Sequence, residues 1–143
     1  MPEDCSRDLP DERLIVRNIK PDEAYADGRI NKRAFIPRKN GKDDNGLSAS
    51  QPGDDGLDGL KARTRNANGL YAKFSAGQCR STSACGITLD ACPAPREWDP
   101  LHVLVTGMPT DRQQRLVFER LAELMAEKCE VHPPRERVVA LVR

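Results

Sequence analysis

Apolar and polar positions alternate in several short stretches of this chain, and each stretch predicts a strand. In "RLIVRNI" (13–19), Leu14 and Val16 fall on one face, while Ile15, Arg17 and Ile19 share the other. "LSAS" (47–50) is a brief strand-like run in polar surroundings. In "LYAKFSA" (70–76), Leu70, Ala72 and Phe74 oppose Tyr71 and Lys73, and "GITLDA" repeats the pattern with Ile87, Leu89 and Ala91. "LHVLVTG" (101–107) is apolar on both faces, which predicts a strand inside a sheet rather than at its edge.

The period then lengthens to that of a helix. Val117, Leu121, Leu124 and Met125 form one stripe with Cys129 at its end, and Arg112, Arg115, Glu119, Glu123 and Glu127 hold the opposite side. Thr110 is placed to cap the helix, Gln113 completes a capping box and Pro109 precedes the cap, so the expected span is 110–129. Arg115 and Glu119 are spaced to pair across one turn. "DGLDGLKARTR" predicts a short, glycine-weakened helix presenting Leu57 and Leu60, "RINKRAFIP" offers Ile30, Ala34 and Phe35 to a core, and "RVVALVR" predicts a last strand.

Strands first and one strong helix late give an α+β class: a single domain, with a mostly antiparallel sheet packed by one long amphipathic helix near the C-terminus. Residues 1–12 are expected to be a flexible leader. The domain then spans 13–143, with a long polar loop at about 37–59 that is dense in Gly, Asp, Asn and Pro and carries turn signals at Asn40–Gly41 and Asn45–Gly46. A chain of 143 residues can bury roughly 68–70% of its unfolded surface, so it needs no staple.

Charge narrows the function classes. The 23 basic and 22 acidic residues nearly cancel, which argues against a protein whose main task is to clamp nucleic acid. A local patch at Lys61, Arg63 and Arg65, alternating as on one strand face, keeps a weak nucleic-acid role open as the third alternative. The start of the chain is polar, with no apolar secretory core, and no apolar run reaches the roughly 18 residues of a membrane span. The expected location is the cytoplasm.

Five cysteines, three of them in "CRSTSACGITLDAC" (79–92), raise the question of a metal or a disulfide. If 87–91 is extended, Cys85 and Cys92 lie too far apart to share either. Cys79 and Cys85 can approach one another only across a turn. An odd count in a reducing compartment leaves ordinary thiols as the expectation, with no metal bound.

His102 shares a strand face with Leu104. Arg17 lies between two isoleucines on its own strand face, where a charge needs a partner or an opening. Ser48 and Ser50 sit in a third strand candidate. No Ser/His/Asp or Cys/His arrangement follows from spacing alone. The segments "RNIKP", "INKRAFIPRKNGKDDNGLS" and "DPLHVLVTG" resemble a family of small bacterial proteins of uncharacterised function, over residues 14–50 and 99–107. That resemblance implies no activity. The order of Arg17 and Ser48 is also similar to that in ADP-ribosyltransferase-type domains, which implies an NAD-handling alternative using Arg17, Ser48 and His102. With no strong catalytic or cofactor motif, the first expectation is a bacterial accessory or binding protein that needs no cofactor and acts through a partner protein.

Overall fold

The "LIVRN" alternation forms strand β1 (Leu14–Asn18), and "LSA" forms β2 (Leu47–Ala49). The chain continues as α1 (Leu60–Thr64), β3 (Tyr71–Ser75), α2 (Ala76–Arg80), β4 (Ser83–Ala84), β5 (Ile87–Thr88) and β6 (Asp90–Pro93). It ends as β7 (Val103–Thr106), α3 (Arg115–Lys128) and β8 (Glu130–His132). The computed structural model describes residues 5, 8–25, 28–37, 46–54, 56, 59–64 and 69–132.

The sheets are antiparallel throughout: one runs β1-β3-β8, a second β2-β7-β6, and β4 and β5 make a small hairpin. Reciprocal bonds of 2.9 Å between the backbones of Val16 and Ser50 join β1 to the end of β2. The two three-stranded sheets thus continue into one another in the order β8-β3-β1-β2-β7-β6. β7, apolar on both faces, lies between two partners as its sequence predicts.

The core gathers on the face that α3 covers. Ile15, Phe35, Phe74, Leu121 and Met125 are all buried, and the Phe35 and Phe74 rings meet edge to face at 5.6 Å. A 3-10 turn at Lys32–Phe35 packs Ala34 and Phe35 beneath α3. Tyr71, Val16 and Leu60 form a smaller cluster on the other side of the sheet. The fold is therefore α+β, with one long helix near the C-terminus.

Several expectations change. α3 does not begin on a Thr110–Gln113 capping box: Gln114 stands at its N-cap, preceded by a 3-10 turn, and the Asp111 carboxylate accepts the Gln113 N–H at 2.9 Å. A shorter acceptor two residues from its donor closes an Asx turn and outcompetes the box. The segment carrying Lys61, Arg63 and Arg65 is not a strand; 60–64 is helical, so residues two apart no longer share a face. Leu57, Arg65, "RVVALVR" and much of the 37–59 loop lie outside the described residues.

The leader is tied down where it is described. Leu9 is fully buried, Asp11 pairs with Arg80 at 2.7 Å, and its carbonyl accepts the Gly77 N–H at 2.8 Å. The approach is close: a Cβ at Gly77 would meet Asp11 at 3.0 Å, so any larger residue there must push the leader aside. Cys5 and Cys92 form a disulfide, so the expectation of ordinary thiols fails for Cys92; its partner lies 87 residues away, beyond any spacing rule.

Cys79, Cys85 and Cys129 are free. Burial pushes the Cys79 thiol up to about 12 and the Cys129 thiol well above its ordinary value. Cys85 is exposed at the β4–β5 turn. Of these three thiols, only Cys85 should react with iodoacetamide in the native protein at pH 8. Peptide mapping that finds Cys79 or Cys129 alkylated as fast as Cys85 contradicts this packing.

Candidate functional site

Sheet register brings two of the expected site residues together. Ser48 pairs with Leu104 across β2 and β7. His102 lies two residues before Leu104, on the same face, so Ser48 and His102 are diagonal neighbours within reach. The Leu47–Val105 and Ala49–Val103 pairs point the other way and are all buried, which fixes the register and hence the Ser48–His102 meeting.

The Ser48 hydroxyl lies 2.7 Å from His102 Nε2, and His102 Nδ1 lies 2.9 Å from the Ala94 carbonyl oxygen. A carbonyl only accepts, so Nδ1 carries the ring hydrogen and Nε2 presents its lone pair to the serine hydroxyl. Ala94 is held in place in turn, because its N–H donates to the His102 carbonyl at 2.8 Å. His102 is buried, and that burial is the main reason its pKa falls below the ordinary 6.5. The nearby Arg96 charge lowers it further, while the Ala94 bond and Asp99 pull the other way. The imidazole is therefore neutral at pH 7, the state a general base requires.

The connection before His102 is built around Asp99, a fully buried carboxylate. Its Oδ2 accepts the Ser50 hydroxyl at 2.7 Å, and its Oδ1 accepts Arg63 at 2.7 Å and the Leu101 N–H at 3.1 Å. Arg63 also donates to the Gln51 carbonyl at 3.0 Å, which ties α1 to the strand carrying Ser48. Trp98, half exposed, meets the His102 ring edge to face at 5.6 Å.

Ser48, Trp98, Asp99 and His102, with Asn18 and Thr64, line a cleft of about 50 Å³. A larger groove of about 630 Å³ lies between Tyr25–Lys32 and α3, but it holds none of the Ser48, His102 and Asp99 side chains. Convergent polar groups make the smaller cleft the candidate site despite its size.

Arg17 is elsewhere. It is fully buried, and it donates to the Ala34 carbonyl at 2.7 Å and to the Ser48 carbonyl at 2.8 Å. It thus holds the Ser48 main chain and does not line the cleft. Of the expected nucleic-acid patch, Arg63 is turned onto Asp99, and the side chains of Lys61 and Arg65 lie outside the described residues. One group of residues in the described structure has metal-ligating proximity: Cys5, Asp90 and Cys92. Its two sulfurs are bonded to each other, and Asp90 holds Arg80 at 2.8 Å, so it offers no thiolate.

Asp99, Trp98, Asn18 and the Ala94 carbonyl escape sequence reasoning. Asp99 joins the site through contacts 36 and 49 residues away and Asn18 through one 46 away, while Trp98 enters by a ring contact and Ala94 by a backbone atom that no side-chain pattern reveals. Comparison with family models, with curated proteins and with solved structures finds no match for this chain.

Proposed function

We propose that this chain is an acyl-transfer enzyme, a hydrolase of small esters, in which Ser48 is the nucleophile and His102 its base. One observation carries the reading: the 2.7 Å Ser48–His102 bond, with the tautomer fixed from behind by Ala94. In the first step Ser48 Oγ bonds to the acyl carbon while Nε2 takes the hydroxyl proton. The imidazolium then gives that proton to the departing alkoxide. Water, deprotonated by the same nitrogen, hydrolyses the acyl-serine and restores the hydroxyl.

The other readings have less support. An accessory role rests on missing motifs and gives the Ser48–His102 pair no task. NAD handling shares these two residues but asks Arg17 to hold a phosphate, and Arg17 is sealed beneath the sheet. A cleft of about 50 Å³ also lies far below the roughly 300–1,000 Å³ typical of sites that enclose a drug-sized ligand. No helix in the described residues is long and apolar enough to cross a membrane. The Cys5–Cys92 disulfide favours an oxidising compartment over the cytoplasm.

A fluorophosphonate probe tests the proposal. It should add once per chain, at Ser48, and His102→Ala should slow the addition about 100-fold or more. The rate should rise with pH through a midpoint below 6.5 and be flat from pH 7 to 8, because His102 must be neutral. Emission of Trp98, the only tryptophan, should titrate with the same midpoint. Stability follows the same proton: the unfolded state takes it up first, so the contribution of neutral His102 is lost as pH falls from about 6.5. An adduct at another residue, or one indifferent to His102, sinks the assignment.

A further inference from the structure

We infer that the acyl group accepted here is of acetyl size and that the leaving group lies at the open side of the cleft, against Trp98. This rests on the Ser48–His102 reading and adds the substrate class. The cleft provides about 50 Å³ beside the Ser48 hydroxyl. A water-sized group needs about 10–15 Å³, so roughly three to five such groups fit. An acetyl group, with three non-hydrogen atoms, fits readily; a butyryl group, with five, fills the cleft to its limit, and an octanoyl group, with nine, exceeds it.

The walls resist enlargement. Val16 and Ala49 are buried in the joined strands β1 and β2, and Asp99, bonded to Ser50, Arg63 and Leu101, closes the side toward α1. Moving any of these breaks a sheet contact or a buried ion pair. Trp98 differs in being half exposed beside the His102 ring, the group that must deliver a proton to the leaving oxygen. An aromatic face there suits a flat or ring-shaped leaving group, such as an aryl alcohol or a sugar.

Hydrolysis of p-nitrophenyl acetate, butyrate and octanoate by the full chain tests this, with Ser48→Ala as the background. We expect kcat/KM to be highest on acetate and lower on butyrate, and octanoate to be indistinguishable from background. Trp98→Ala, at an exposed position, should raise KM about fivefold or more with kcat held and the acyl preference unchanged. Equal rates on all three esters, with Ser48 still labelled by the fluorophosphonate, overturn the acetyl assignment and leave the nucleophile standing. A Trp98→Ala variant with unchanged KM overturns the leaving-group assignment. Loss of Ser48 dependence overturns the underlying reading itself.

Discussion

Replacing both Cys5 and Cys92 by serine should lower the stability of the oxidised protein by about 4–5 kcal/mol. The bridge joins residues 87 positions apart, so it excludes most of the conformations open to the unfolded chain. Chain-entropy arguments give about 3 kcal/mol for a 15-residue loop and about 4.7 for 100 residues, and this loop lies near the upper figure. The native contacts around it should largely persist. Leu9 stays buried by apolar contact, and Asp11 keeps Arg80 and the Gly77 N–H. Urea unfolding should therefore show a lower midpoint for the double variant, with reduced wild type matching it. The loss of roughly three orders of magnitude in the folded-to-unfolded ratio should be visible without extrapolation. Equal midpoints in oxidised wild type and variant show that the bridge restrains nothing.

Much of the fold was legible because the determining contacts are local or periodic. The alternation in 13–19, 70–76 and 101–107 locates β1, β3 and β7, since a one-residue slip turns an apolar face to water. The Leu121–Met125 stripe likewise marks the buried side of α3. Legibility stops where side chains answer to distant partners. Lys61, Arg63 and Arg65 alternate as a strand would, but Leu60 packs against Val16 and Tyr71 while Arg63 finds Asp99, and the helix wins. Cys5 gave no sign of its partner.

The site was half legible for the same reason. Ser48 and His102 stood out as a hydroxyl and an imidazole on strands, and pairing β2 with β7 made them neighbours. Their setting depends on the Ala94 carbonyl, which holds the His102 ring, and on the Asp99 carboxylate, which holds Ser50 and Leu101 beside them; neither has a spacing signature relative to Ser48. Arg17 was rightly suspected of needing a partner. The direction it takes, away from the cleft, depends on the 3-10 turn that sets the Ala34 carbonyl above it.

Arg17→Met should cost about 3–5 kcal/mol, because it removes two charge-assisted hydrogen bonds and leaves two carbonyls without this donor. The side chain is fully buried, and it bonds two carbonyls from segments otherwise held apart, Ala34 beneath α3 and Ser48 in β2. Methionine keeps most of the length and apolar stem but donates nothing, so both carbonyls lose a charge-assisted bond worth about 1.5–3 kcal/mol. Arg17→Lys should recover only part, because an ammonium lacks the planar fork that reaches two acceptors in different directions. Ser48 moves with its carbonyl, so residual folded Arg17→Met should also label more slowly with the fluorophosphonate while keeping His102 dependence. Thermal unfolding with and without millimolar NAD separates this role from a phosphate clamp. If Arg17 is structural, the variant melts lower in both conditions and NAD shifts neither protein differently. Stabilisation of the wild type by NAD that Arg17→Met loses at unchanged basal stability would instead place the guanidinium on a ligand.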